Sequence, residues 1–221
     1  MKLNVIITGV TGMVGEGVLH EALLSADVER ILVLTRRQSG MSHPKLSELA
    51  VRDFYDLSDI ESQLAGYNAC FFCLGVSVIG KSEQEYRHII YDLTMSVGRT
   101  LSKMNPDMTF CYISGKATDS SEHGRLMWAR VKGKTENDLM KLPFKKVFAF
   151  RPGMLLPTKG LKNTLKYYKY ITWLYPVLRV LYPSGVSTLK ELGLAMINIT
   201  RNGYPKAIIE VNDIVESAEA G

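Results

Sequence analysis

Eight residues near the start of the chain carry the first chemical signal: Thr8-Gly9-Val10-Thr11-Gly12-Met13-Val14-Gly15. The three glycines sit between an apolar run, Leu3–Thr8, and a stretch of helical periodicity, Val14–Leu24. At such a corner the first glycine permits a tight turn. The second lets backbone approach a pyrophosphate, because no Cβ intervenes, and the third lets the helix pack closely on the strand. Free N–H groups and partial positive charge at the helix start stabilise phosphate. A second signal, Arg36-Arg37, follows the next apolar run. A guanidinium offers a forked donor to phosphate. No acid stands at Thr35, Arg36 or Arg37 to hold ribose hydroxyls. NADP(H) is therefore expected over NAD(H), with NAD still possible, and two solvated surface arginines are the bland alternative. Cys70-x-x-Cys73 has metal or redox spacing, but it lies in a strand pattern without a second pair, so core thiols and no metal are expected.

These residues need elements to position them. Apolar runs predict strands at Leu3–Thr8, Ile31–Thr35, Leu49–Val51, Ala69–Leu74, Met108–Ser114 and Lys145–Arg151. Helices are predicted over Val14–Leu24, Ser58–Leu64, Ser82–Lys103, Arg125–Lys141 and Thr188–Thr200. Capping boxes are expected at Ser58/Glu61 and Ser82/Glu85. Ala207–Glu210 reads as one more short strand, and the last ten residues read as helical or frayed. Alternating strands and helices predict an α/β fold: a doubly wound parallel sheet, with a small C-terminal lobe. The expected division is a dinucleotide-binding core over 1–155 and a substrate or lid lobe over 156–221.

Composition narrows the class. The chain has 221 residues, 46% hydrophobic and 22% charged, which excludes disorder and a disulfide scaffold. The net charge of +5 is too small for a dedicated nucleic-acid binder, and suits an anionic small ligand or no special partner at all. Three cysteines predict a reducing, cytoplasmic setting. No signal-peptide layout is expected. The longest apolar stretch, 170–182, is too short to span a bilayer and contains Pro176 and Arg179.

The TGxxGxxG corner resembles the extended and atypical short-chain dehydrogenase/reductase families, which bind NAD or NADP on a Rossmann fold. Among them the chain looks most like the group related to the Tat-interacting oxidoreductase-like proteins and to nucleoside-diphosphate-sugar epimerase homologues. The resemblance implies that Asp53 accepts from the adenine amine, that Phe54 packs the ring, and that Cys73-Leu74-Gly75 runs beside the adenosine ribose. It implies that Arg151-Pro152-Gly153 passes the nicotinamide and opens the substrate lobe. It also implies a catalytic Ser at Ser114 and a Tyr-x-x-x-Lys on the following helix. Here that segment is Trp128-Ala129-Arg130-Val131-Lys132. Residues four apart share a helix face, so the lysine charge would assist a tyrosine hydroxyl. Lys132 is kept, but an indole does not titrate in the useful range.

Three outcomes follow: binding without turnover, another acid such as Tyr86, Tyr91 or His123, or a step that needs none. The resemblance implies an oxidoreductase acting on a small carbonyl or alcohol, with Ser114 and Lys132 as the residual catalytic pair. From a different class, a catalytically weak or inactive NAD(P)(H)-binding sensor or scaffold fits as well. A nucleotide-sugar epimerase/dehydratase is the further alternative, but only 70 residues follow Arg151. Residues 161–182 mix Lys162, Lys166, Lys169 and Arg179 with Tyr and Trp173. A pocket wall or core is expected there first, peripheral membrane or partner contact second, and nucleic acid last.

Overall fold

A computed structural model describes residues 2–38, 40–164, 168 and 172–220. Strands β1 (Leu3–Thr8), β2 (Val28–Thr35), β3 (Leu46–Ala50), β4 (Ala69–Phe72), β5 (Thr109–Ile113), β6 (Lys146–Phe150) and β9 (Ile208–Ile209) form one sheet in the order β3-β2-β1-β4-β5-β6-β9. Every neighbouring pair is parallel. The chain thus winds outward in both directions from β1, and the order reverses between β1 and β4. Ligand crevices form at the carboxyl ends of strands at such a point.

Alternation along β1 shows how both faces are covered. Val5 and Ile7 pack with Val18, Leu19 and Ala22 of helix α1 (Met13–Leu24), and with Leu192 and Met196 of helix α6 (Leu189–Asn202). Ile6 faces the other way, into a cluster with Val97 and Leu101 of helix α3 (Leu93–Met104) and Leu139 of helix α4 (Met127–Leu139). Successive strand residues point to opposite faces, so a strand covered on both sides must be apolar throughout.

Several boundaries differ from the sequence expectation. The predicted Ser82–Lys103 helix keeps its Ser82/Glu85 capping box but is interrupted. Short α2 (Glu83–Arg87) passes into a π-helical turn, His88–Asp92, before α3. The Ser58/Glu61 box does not form. Ser58–Leu64 is a 3₁₀ helix, and the Ser58 N–H donates to the Asp56 carboxylate at 3.0 Å instead. The final residues make a regular helix, α7 (Val211–Glu219).

Beyond Gly153 the chain forms a parallel two-stranded sheet of β7 (Met154–Leu156) and β8 (Val186–Thr188), which the sequence reading lacked. Three-residue strands are too short to show a period. Between them lie a 3₁₀ turn, Thr172–Leu174, and helix α5 (Tyr175–Leu181). Lys166 and Lys169 of the basic aromatic segment fall outside the described residues. Among the described residues no helix is long and apolar enough to cross a membrane.

Candidate functional site

The corner between β1 and α1 is shaped by two glycines with different jobs. Gly9 has φ +74°, and a Cβ there would lie 2.5 Å from the Cys73 carbonyl oxygen. A Cβ on Gly15 would lie 2.2 Å from the Gly9 carbonyl oxygen, so this glycine lets α1 sit against the loop. Gly12 caps α1 in extended conformation without any side-chain cap. Its own N–H closes the turn onto the Gly9 carbonyl at 3.0 Å. The first-turn N–H groups of Met13, Val14 and Gly15 are therefore left for an external acceptor.

Two adjoining cavities of about 550 and 460 Å³ open over this corner. Gly9, Thr11, Arg36, Phe54 and Leu74 line both. Arg37 completes the first, while Gly12, Asp53, Cys73 and Gly75 help complete the second. The Thr35 hydroxyl donates to the Arg37 carbonyl at 2.7 Å and so shapes the turn that presents both arginines. Arg36 and Arg37 are exposed, and neither forms an ion pair with another described residue. Asp53 is exposed and accepts from the Tyr55 N–H at 2.8 Å, while Phe54 is buried beneath it.

The sequence reading missed Tyr55, Arg52 and Ile89, which also line the second cavity. Arg52 adjoins the predicted Asp53 and was legible as its neighbour. Tyr55 stacks on His88 with centroids 4.4 Å apart, a contact 33 residues distant that no local pattern reveals.

Other expected site residues have different positions. Thr8 is fully buried, and its hydroxyl accepts the Cys73 N–H at 3.2 Å, tying the ends of β1 and β4 together. Its role is structural rather than direct contact. Cys70 and Cys111 are buried and Cys73 is partly covered. Burial pushes all three thiols far above their ordinary range. No metal-holding group of His, Cys, Asp or Glu occurs among the described residues.

Ser114, Lys132, Arg151, Pro152 and Gly153 line neither cavity; they gather at the ends of β5 and β6. The Ser114 hydroxyl is buried and donates to the Phe150 carbonyl at 3.1 Å. The Lys132 ammonium donates to the Ser114 carbonyl oxygen. Burial outweighs the charge of Glu136 and lowers the Lys132 pKa to about 8. The Pro152 carbonyl accepts the Lys116 N–H at 2.9 Å, joining the loops after β5 and β6.

Arg151 faces inward and Gly153 packs against the lobe. The Arg151 guanidinium is turned inward to the fully buried Glu136 carboxylate, to Glu210 at 3.4 Å and to the Ser120 hydroxyl. Gly153 makes room for the lobe, since its Cβ would lie 2.1 Å from the Gly185 carbonyl oxygen.

Trp128 packs beside Tyr86, Ile90 and Val131 in a small apolar cluster. Neither tyrosine among the alternative acids is free and poised. Burial raises Tyr86 to about 12. Burial, and then a 2.7 Å bond from its hydroxyl to Asp138, raise Tyr91. His123 is exposed on the surface.

Comparison with known proteins follows this geometry. Residues 5–123 match the model of the NAD dependent epimerase/dehydratase family. "Protein FMP52, mitochondrial" from Eremothecium gossypii is 30% identical over 156 residues, covering 70% of this chain and 67% of that protein. "Protein HTATIP2" from Rattus norvegicus is 24% identical over 155 residues, covering 69% and 63% of the respective chains. The crystal structure of DesIV, a dTDP-glucose 4,6-dehydratase from Streptomyces venezuelae with NAD and TYD bound, has a TM-score of 0.70. It is 12% identical, and the alignment covers 95% of this chain and 75% of that one.

The mitochondrial relative overturns the expected cytoplasmic setting. Free thiols report reducing surroundings, and that property does not name a compartment. The family match over more than half of the chain joins the 3-2-1-4-5-6 core and the glycine corner to one conclusion: this chain belongs to the NAD dependent epimerase/dehydratase family.

Proposed function

We propose that the chain binds NADP(H) across the β1–β4 switch point and acts as an oxidoreductase on a small carbonyl or alcohol. The observation that carries the reading is Arg36 and Arg37 lining a single cavity with Gly9 and Thr11. The residues fit a dinucleotide. Gly12 is exposed and leaves the first turn of α1 uncapped, and its missing Cβ keeps that approach open. The α1 N–H groups would take the pyrophosphate, and the two guanidinium groups a 2′-phosphate. Phe54 would pack the adenine and Asp53 would accept from its amine. When bound, the cofactor supplies a hydride to, or accepts one from, the substrate carbon. Lys132 would hold the nicotinamide ribose, and Ser114 would orient the carbonyl once its hydroxyl leaves Phe150.

A second reading is favoured by Trp128. With an indole in the tyrosine position and the Ser114 hydroxyl already engaged, the chain would bind NADP(H) as a sensor or scaffold and turn over little.

Thermal unfolding with added NADPH and NADH tests the binding. A ligand at about 100 times its Kd stabilises by about 2.7 kcal/mol. A larger upward shift with NADPH is expected. A larger shift with NADH would overturn the arginine assignment, and no shift with either would remove both readings.

A further inference from the structure

Ser114 and Lys132 mark the reaction end of the cleft, and Lys116 lies two residues beyond Ser114. Two residues of chain span at most about 7 Å. The Lys116 N–H donates to the Pro152 carbonyl at 2.9 Å, so its backbone is fixed between the loops after β5 and β6. A Cβ on the intervening Gly115 would lie 3.8 Å from the Lys132 Nζ. The Lys116 side chain turns toward the lobe. Its ammonium donates to the Tyr182 hydroxyl and to the Ser184 carbonyl, each at 2.6 Å, and sits 4.3 Å from the centre of the Tyr182 ring. That ring lies against Gly185, where an added Cβ would meet it at 1.8 Å.

All of these partners are neutral. Among the described residues no carboxylate pairs with Lys116. The side chain is partly covered, and covering an unpaired charge is costly. The surrounding elements have no acid to spare. No Asp or Glu occurs between Asp138 and Glu191, so β7, α5 and β8 bring none. Asp119 accepts from Ser121 and Gly124 of its own loop, and Glu122 from Asn137. Glu136 and Glu210 hold Arg151, and Glu191 holds Arg179. Lys132 adds a second positive charge close by, and a cleft lined by one sign of charge draws a ligand of the other. The phenol completes the arrangement. Tyr182 is 50% exposed, and because its oxygen accepts from Lys116, its O–H is left to donate. An ammonium has three donors, of which Lys116 uses two.

We propose that Lys116 and Tyr182 form an anion subsite at the reaction end, so that the substrate carries a carboxylate or a phosphate besides its carbonyl or alcohol. The proposal deepens the oxidoreductase reading and rests on it. The carbonyl would sit at Ser114 and the anionic group a few bonds away, between the Lys116 ammonium and the Tyr182 hydroxyl. Charge-assisted bonds of this kind are the strong ones. The contacts to Tyr182 and Ser184 hold the ammonium in place before the ligand arrives, which lowers the ordering cost of binding.

The test is calorimetry on the full chain with NADP+ present, so that a carbonyl compound binds without being reduced. Two matched pairs serve as probes: 4-oxopentanoate with its methyl ester, and dihydroxyacetone phosphate with dihydroxyacetone. One charged probe should bind at least about tenfold more tightly than its neutral partner, and the pair that shows this identifies the anion. Lys116→Met should remove the preference, Lys116→Arg should keep most of it, and Tyr182→Phe should cause a smaller loss. An unchanged NADPH-induced thermal shift verifies that each variant is folded. Equal binding of charged and neutral probes, or a preference that survives Lys116→Met, would overturn the proposal. A lower melting temperature of Lys116→Met with the preference intact would make the lysine a clamp for the lobe and overturn it too. Binding of a charged probe through Lys116 without any reduction by NADPH would remove the oxidoreductase reading and leave the anion subsite standing.

Discussion

The two ends of the cleft are built on different physics. Around β1–β4 the surface that would meet a ligand is largely backbone: a glycine at φ +74°, an uncapped helix start, and two arginines on a turn. Around β5–β6 the arrangement depends on particular side chains that meet across long stretches of sequence. Lys132 reaches the Ser114 carbonyl, and Arg151 reaches Glu136. The first end presents the groups that the proposed dinucleotide site would use. The second holds the Lys132 charge against Ser114, with Trp128 one helical turn before it. In the proposed function, binding and reaction would draw on different strands and different kinds of group.

The largest effect should come from restoring the missing group. Trp128→Tyr places a phenol one helical turn before Lys132. General acid–base catalysis contributes about 10²–10⁴-fold. Carbonyl reductase kcat with NADPH should rise by about 10²-fold or more if the rest of the site is competent. A panel of small aldehydes and ketones assayed by loss of nicotinamide absorbance reads it. No gain in turnover, with NADPH binding retained, would make the chain a binder and not a disabled enzyme.

The next effect concerns how the reaction end is held. Glu136 is fully buried, and its carboxylate takes the Arg151 guanidinium. Removing one partner of a buried pair leaves the other charge uncompensated, at a cost of about 3–5 kcal/mol. Glu136→Gln should lower stability by that amount in urea denaturation. A loss below about 1 kcal/mol would mean that Arg151 is free to turn toward the cleft after all.

At the binding end, Arg36→Ala and Arg37→Ala should each raise the NADPH Kd by about 10- to 100-fold, the worth of a hydrogen bond to a charged group. The NADH Kd should change much less. Equal losses for both nucleotides, measured by calorimetry, would show that the arginines act only on the shared diphosphate or as a general field.

These contrasts follow what local sequence can carry. The first six strands along the chain and the glycine corner were legible, because each is a short-range pattern of apolar runs and small residues. The inward turn of Arg151 was not. The Arg-Pro-Gly string looks the same whether the guanidinium faces a cofactor or a carboxylate 15 residues upstream. The close approach of Gly153 to Gly185 was not legible either, since the two lie 32 residues apart. The Tyr55–His88 stack and the π-turn beside it were invisible because they depend on how α2 meets the loop after β3.

The smallest effect is also the most direct probe of the reaction end. Lys132 titrates near 8 in the folded chain, against an ordinary value of 10.5, chiefly because it is desolvated. Between those values the unfolded chain still binds the proton that the folded chain has released. Stability therefore rises with pH in that window, by at most about 1.4 kcal/mol per unit. Below pH 8 both states hold the proton and the contribution is flat. Compared with Lys132→Met, the wild-type chain should gain stability in urea denaturation as pH goes from 8 to 9. A difference that stays constant would mean that the ammonium is solvated and not held against Ser114. The charge retained at the reaction end would then have no fixed position for a restored tyrosine to use.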